Sequence, residues 1–390
     1  MRNVLLMAAA LRSAAAVAHR ALPVERFSVA PMMDYTDRHF RHLFRLLSKE
    51  SVLYTEMVTA NTLVDDHGSP RHGSGDRWLA HDDAQEKTIL QLGGSSPKVL
   101  GAATELAMAH HSYAGVNLNC GCPSDRVAGQ GCFGAALMRD AGRVADCVDA
   151  LGAASDAPVS VKCRVGVCDT VADMSDDDEL LYEGLATFVD TVASRGVCDH
   201  FVVHARVAVL SGLSPDKNRK VPTLKPHLVE RLAADFPNLQ VVSNGEVDSY
   251  DAAILRSSGE VAGVMSGRDV CKRPWYYANV DSALFGAEAD PARSRRDVLL
   301  GAYADYCDRE ELETTRPDYS PRRALVKPVL GLFHASPGAG LFKREIDALL
   351  KDPTLSVRAV LERAVAEVPD AVLDARPDNH VTNLERARAA

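Results

Sequence analysis

Three groups of residues in this chain have types and spacings suited to chemistry. The first is Lys162, inside Pro158-Val-Ser-Val-Lys-Cys-Arg164, where strand alternation points a long cation toward the inside among apolar neighbours. A buried ammonium is costly unless it meets an anion or a polarised group. Pairing with Glu56 at a rim is the plain alternative. The second is Val116-Asn-Leu-Asn-Cys-Gly-Cys-Pro-Ser-Asp-Arg-Val127, which sets two thiols beside a Gly/Pro-kinked turn. A thiol with its ordinary pKa near 8.5 stays protonated at neutral pH and can serve as a general acid. Pro123 and Gly121 break the strand at Cys122, freeing that thiol to reach outward, whereas Cys120 reads as a small packed hydrophobe. The third is a pair of glycine turns, Asn244-Gly-Glu246 and Ser266-Gly-Arg268, whose backbone N–H groups could approach a phosphate closely.

A structural metal is a poor fit to these cysteines. Cys120, Cys122 and Cys132, with Cys163 or Cys168, lack the paired C-x₂₋₄-C spacing of zinc sites. No metal is expected.

The elements that must position these groups alternate along the chain. Short apolar runs near Phe27–Ala30, Val52–Val58, Thr88–Leu92, Val116–Asn119, Val159–Arg164, His200–Arg206, Leu239–Asn244 and Ala262–Gly267 are separated by helical patterns such as Asp37–Leu47, Gly134–Leu151, Asp178–Ala193, His227–Phe236 and Tyr250–Arg256. Such repeated βα units predict a closed (β/α)₈ barrel of the TIM type. Residues suited to a site stand at or just beyond the end of each run: Met32 with Asp34, Glu56, Gln91, Asn119, Lys162 with Arg164, His204 with Arg206, Asn244, and Arg268. Barrel enzymes place their active sites at that end of the strands.

Beyond Trp275 the strand signals stop, and Asp297–Glu313, Arg322–Leu332, Phe342–Leu350 and Leu355–Val368 read as helices. The expected organisation is an N-terminal extension over residues 1–25, a barrel over 26–285, a separate C-terminal all-helical domain over 290–370, and a flexible tail over 371–390. The extension carries Arg2, Arg12 and Arg20 and no acid before Glu25, which resembles a mitochondrial or plastid targeting segment; without such a role, the chain would be cytoplasmic.

With 390 residues, 46% hydrophobic and 25% charged, the chain is expected to be globular, and no stretch approaches membrane-spanning length. Nine cysteines without a disulfide-framework spacing fit a reducing compartment. A net charge of −9 excludes a surface that coats nucleic acid everywhere, so any RNA contact must be local. Between Pro321 and Arg344 the chain carries Arg322, Arg323, Lys327, Lys343 and Arg344 and no acid. A second basic group holds Lys217, Arg219, Lys220 and Lys225, whereas the acidic run Asp176–Glu179 reads as the solvated start of a helix.

Taken together, Ala30-Pro-Met-Met-Asp-Tyr-Thr-Asp-Arg-His39, Leu53-Tyr-Thr-Glu-Met57, Gln91-Leu-Gly-Gly94, the Asn117–Val127 block, Val161-Lys-Cys-Arg164, His204-Ala-Arg206, Leu210-Ser-Gly-Leu-Ser-Pro215 and Val264-Met-Ser-Gly-Arg268 resemble the tRNA-dihydrouridine synthases. The His204–Pro215 block resembles the bacterial A-type subfamily in particular. The resemblance implies FMN in the barrel mouth, reduction by NADPH, hydride transfer to C6 of a D-loop uridine (20/20a) in tRNA, and protonation of C5 by Cys122. It implies that Pro31, Met32 and Met33 border the flavin, that Gln91 contacts its ring, and that Lys162 and His204 flank its polar edge. Asn244, Gly245, Glu246, Gly267 and Arg268 would surround its phosphate. Asn119, Arg206, Asp216, Arg219, Arg322, Arg323, Lys327 and Lys343 would meet the tRNA, with the enzyme acting as a monomer. Glu246 stands where the family usually has Gly, and its carboxylate would repel a phosphate unless it points away. A flavin barrel acting on a free small molecule would leave the basic helices without a purpose. A catalytically silent RNA-binding factor would not need Lys162, His204 and Cys122.

Overall fold

The computed structural model describes residues 22–73, 75, 78–79, 86–123, 133–257, 259–313 and 320–377. The acid-free segment through Arg20, Cys132 and the last residues of the tail lie outside them.

Among the described residues, nine parallel strands run β1 (Phe27–Val29), β2 (Val52–Tyr54), β3 (Val58–Thr59), β4 (Thr88–Gly93), β5 (Gly115–Asn119), β6 (Val159–Cys168), β7 (Cys198–Val209), β8 (Gln240–Asn244) and β9 (Gly263–Ser266). Pairing of β1 with β9 and of β2 with β4, in the register Leu53↔Thr88 and Tyr54↔Ile89, closes eight of them into a barrel. Strand β3 only prolongs the β2 edge beside Leu92. Helices α1 (Arg38–Leu47), α2 (Pro97–His110), α3 (Ala141–Ala153), α4 (Asp178–Ala193), α5 (Pro226–Asp235), α6 (Tyr250–Ser257) and α7 (Arg268–Lys272) follow the strands. The fold is therefore the expected (β/α)₈ barrel followed by helices.

Side-chain alternation sorts every strand into two faces. Leu90, Leu92, Val116, Leu118, Val161, Cys163, Phe201, Val203 and Val241 pack outward against α2 to α5 in one large core. Val52, Tyr54, Ile89, Val202, Val242 and Met265 point inward. Gln91, Asn117, Asn119, Ser160, Lys162, His204 and Asn244 fall on the same inner parity, so the barrel axis is lined by polar groups above an apolar layer.

Boundaries differ from the sequence expectation in several places, among them β6 and β7, which run on past Arg164 and Arg206 to Cys168 and Val209. The span Gly134–Leu151 is a 3₁₀ turn (Gly134–Arg139) and then α3, because the Asp140 side chain accepts from Arg143 N and starts a new helix. Helix α2 is Ala-rich with a weak polar face, and its signals are the Ser96 cap and Pro97 at its first position. Residues 22–25 belong to the barrel floor, with Leu22 and Glu25 buried. At the other end, residues 370–374 are tied down: Arg296 pairs with Asp370 and Asp374 at 2.6 Å each, and Leu373 is buried.

Helices α8 (Ala304–Glu313), α9 (Arg322–Val326), α10 (Ala339–Leu349) and α11 (Val357–Ala364) do not form a core of their own. Tyr303, Leu325, Phe333, Phe342, Val360 and Leu361 share one cluster with Phe27, Phe40, Phe44, Leu53 and Val264 of the barrel. Set apart in sequence, the helical region is continuous with the barrel flank in space. Among the described residues, no helix is long and apolar enough to cross a membrane.

Candidate active site

The carboxyl ends of the strands bring most of the sequence-selected residues to one mouth. Lys162 leaves β6 inward and donates from Nζ to Asn244 Oδ1 at 3.1 Å, across from β8; it does not pair with Glu56. Asn244 is held by its own Nδ2, which donates to Met265 O at 2.8 Å. Burial, reinforced by Arg164, lowers the Lys162 ammonium to about 8. Glu56 instead accepts from the backbone of Asp34.

His204 stands next to Lys162. Burial is the main reason its pKa falls well below the ordinary value, and Arg164, Lys162, Arg206 and Arg219 push it further down, so the ring is neutral. Among the described residues, its Nδ1, together with Arg206 Nε and Arg219 Nε, has no hydrogen-bond partner. Three unpartnered nitrogens and four surrounding cations make a site in search of an anion or a group rich in acceptors.

Glu246 resolves its own conflict. Its backbone is left-handed at φ 50°, and its side chain pairs with Arg206, which also donates to Pro222 O. The carboxylate is thereby turned onto a cation. By the same contacts, Arg206 is buried and engaged within the protein, so it does not present an open guanidinium to RNA. Gly245 has φ 118°, and a Cβ there would stand 2.9 Å from Leu224 Cδ1 and 3.4 Å from His204 Nε2. Gly245→Ala is expected to cost about 1–3 kcal/mol in urea unfolding while displacing His204. A Cβ on Gly267 would touch Ala30 and Met32 at 3.3 and 3.4 Å.

The thiols part as expected from the kink. Cys120 packs outward in the large core, and burial, with Cys163 nearby, raises its pKa well above the ordinary value. Cys122 is half-buried at the mouth, and its charge would be felt by Lys162, Arg164 and Arg219. Its loop is gripped from several sides. Asn119 Oδ1 accepts from Gly121 N at 3.1 Å and Cys122 N at 3.0 Å, Arg164 Nε donates to Gly121 O at 3.1 Å, and Ala135 N donates to Cys122 O at 2.9 Å. The role of Arg164 was not legible in sequence beyond its place at a strand end. Gln91 is buried below and accepts from Asn119 Nδ2 at 2.7 Å.

Around the rim, Pro31 and Met32 are half-buried and Met33 is exposed. Asp216 is an acid surrounded by bases: Lys220 at 2.7 Å, Arg219 at 3.7 Å and Arg268 at 3.9 Å; the hydrogen bond from Lys220 is the chief reason its carboxyl lies low. Lys225 is buried and pairs with Asp178 at 2.6 Å, so it joins α4 to the loop before α5 and leaves the rim's basic group smaller than the sequence suggested. The acidic run is thus partly paired, not only solvated.

The helical cations separate into two kinds. Arg322 is partly buried and donates to Asp352 O at 2.9 Å and Leu350 O at 3.5 Å, which corrects its expected availability to RNA. Arg323, Lys327 and Lys343 are exposed. Lys327 donates to Asp34 O and lies 5.1 Å over the Tyr35 ring, joining the helices to the mouth.

Comparison with known proteins agrees with this geometry. A family model described as dihydrouridine synthase (Dus) matches residues 28–362. The chain is 41% identical over 344 residues to the tRNA-dihydrouridine(20/20a) synthase of Vibrio cholerae serotype O1, covering 88% of this chain and 97% of that protein. The Salmonella typhimurium enzyme of the same name is 41% identical over 353 residues, covering 90% and 97%. The enzyme of this name from Escherichia coli strain K12 is 40% identical over 348 residues, covering 88% and 92%. With nearly the whole barrel and the helices after it matched in order, this chain belongs to the dihydrouridine synthase family.

Proposed function

We propose that the chain reduces uridine to 5,6-dihydrouridine at positions 20/20a of tRNA, as the names of its relatives say of them, with FMN as cofactor and NADPH as reductant. The observation that carries the cofactor is the group of unpartnered nitrogens at His204, Arg206 and Arg219 beside Lys162. These residues fit an anionic, acceptor-rich ligand. Asn244, Gly245, Gly267 and Arg268 would hold its phosphate, Lys162 and His204 its polar ring edge, and Pro31, Met32, Met33 and Gln91 its ring. When bound and reduced, the flavin supplies the hydride for C6.

The protein's own residues do the rest. Cys122 Sγ carries the proton that C5 receives, and solvent restores it afterward. Asn119 fixes the thiol's loop and stands where the target nucleotide would enter. Over one cycle the uracil gains a hydride and a proton while NADPH becomes NADP⁺. The base must leave its stack to reach the mouth. Exposed Arg323, Lys327 and Lys343, together with Arg219 at the rim, would hold the RNA backbone, with Asp216 arranging the rim cations. The helical region acts as the tRNA-binding part, and the enzyme works as a monomer.

Dihydrouridine mapping in tRNA from cells lacking the protein tests the reading: loss at 20 and 20a is expected, and an unchanged map would refute it. A second test concerns the surface. Replacing Arg323 and Lys343 by Ala should weaken tRNA binding and lower the salt slope by about 1.5, at 0.7–0.9 for each phosphate contact. Arg322→Ala should instead lower stability by about 1–2 kcal/mol. An unaltered slope in the double variant would place the RNA elsewhere.

A further inference from the structure

From Asn119 and Gln91 downward the barrel buries a continuous chain of polar side chains whose deeper members no step above uses. It begins at the thiol loop, where Asn119 Oδ1 accepts from Gly121 N and Cys122 N. Asn119 Nδ2 donates to Gln91 Oε1 at 2.7 Å, Gln91 Nε2 donates to Asn117 Oδ1 at 2.7 Å, and Asn117 Nδ2 donates to Ser160 Oγ at 2.9 Å. Ser160 Oγ donates to Val116 O at 3.4 Å, and deeper on the barrel floor the Tyr54 hydroxyl donates to Glu25 Oε2 at 2.9 Å, where His200 Nε2 also lies at 2.9 Å. Gln91, Asn117, Ser160, Tyr54, His200 and Glu25 are all at most 1% exposed.

The sense of this chain is forced. A backbone carbonyl only accepts, so Ser160 must give its proton to Val116 O. Ser160, having given its single proton, accepts from the Asn117 amide nitrogen. Asn117 then has only its carbonyl to offer Gln91, and Gln91 only its carbonyl to offer Asn119. That leaves the Asn119 carbonyl facing the two loop N–H groups. Reversing any one amide would set NH₂ against NH₂ or oxygen against oxygen among fully buried side chains, which is costly at each link.

We propose that Asn117 is a positioning residue for Cys122, acting through Gln91 and Asn119 to keep the thiol loop in its reactive place. The proposal rests on the reading of Cys122 as the proton donor. Without the Asn117 carbonyl, Gln91 can rotate, Asn119 loses its fixed sense, and an amide NH₂ can come to face the N–H groups of Gly121 and Cys122. A thiol displaced by about 1 Å is enough to slow its step about 10²-fold.

The test compares Asn117→Leu with Asn117→Asp in the FMN-loaded enzyme. Leu has a similar size and no polar atom. A neutral Asp presents the same carbonyl to Gln91 and an O–H in place of the N–H toward Ser160. For Asn117→Leu, reoxidation of the reduced flavin by tRNA in a single turnover should slow about 10- to 100-fold, with the tRNA Kd within threefold. Without tRNA, the rate of Cys122 alkylation by iodoacetamide, followed by peptide mass spectrometry, should shift several-fold. Asn117→Asp should restore both to within about threefold. Wild-type rates in Asn117→Leu, or an Asp variant as impaired as Leu, would overturn the proposal. If Asn117→Leu does not fold, Ser160→Ala carries the test: it removes the next acceptor, and wild-type values for both readouts would equally overturn it. A shifted alkylation rate in an enzyme whose wild type shows no turnover of tRNA would leave the relay standing and refute the assigned reaction.

Discussion

Cys122→Ala is expected to keep its flavin and its reduction by NADPH while losing dihydrouridine formation by about 10²–10⁴-fold. That range is the usual cost of removing a positioned general acid, about 3–5 kcal/mol of barrier. The structural ground is the contrast between two thiols two residues apart. Cys122 is half-buried at the mouth, on a loop held by Asn119, Arg164 and Ala135. Cys120 faces the outer core, where burial pushes its pKa up and leaves it inert. Cys120→Ala should therefore retain activity within a few-fold and lose about 1 kcal/mol of stability from the lost packing. Rapid-mixing measurement of the two half-reactions separates the cases. Equal slowing in both variants, or a larger loss in Cys120→Ala, would show that the acid is misassigned.

Lys162→Met is expected to weaken FMN binding about 30- to 1,000-fold, the range for removing one partner of a buried charged contact. The remaining bound flavin should be reduced more slowly. The pH dependence gives this prediction a sign. Burial holds the folded Lys162 at about 8, below the 10.5 of an unconstrained lysine. An anion that prefers the ammonium must therefore bind less tightly as pH rises through about 8, by up to tenfold per unit, and the variant should show no such trend from this position. For the apoprotein the direction is opposite. Between pH 8 and 10.5 the unfolded chain binds the proton that the folded chain has released, so stability rises with pH across that window. Lys162→Met should lack this rise and be more stable than the wild type near pH 7. Fluorescence titration of FMN and chemical unfolding at several pH values check both directions. A pH-independent wild-type affinity would remove Lys162 from the flavin site.

Much of this site was legible because alternation in a barrel strand is strict. Asn119, Lys162, His204 and Asn244 have inward parity, which can be read without coordinates, and Asn119 and Asn244 also end their strands. Long-range pairing was not legible. Nothing local says that Lys162 reaches Asn244 and not Glu56, since the choice depends on which strands are neighbours around the closed ring. The basic patches misled for a related reason. A run such as Pro321–Arg344 contains no acid in sequence, yet Arg322 finds the carbonyls of Leu350 and Asp352 from a later turn, and Lys225 finds Asp178 from an earlier helix. Charge counted along a chain cannot anticipate partners supplied by folding. Asn117 shares the parity of Asn119, so the pattern signals its inward direction; its importance emerges only with Gln91 and Ser160 beside it.

The common core under barrel and helices makes the molecule a rigid gauge. Phe27 and Phe40 of the barrel pack in the same cluster as Phe333 and Phe342 of the helical region, without a linker between two separate bodies. Close-packed interiors do not stretch. The span from exposed Arg323 and Lys343 to the mouth at Lys162 is thus set by solid packing, and a nucleic acid resting on those cations would meet the mouth at a constant offset along its own backbone. Cutting the chain near residue 290 should not yield an independently folded barrel. It would strip cover from Phe27, Phe44 and Tyr277, and a cooperative collapse of the whole protein is the outcome this architecture dictates.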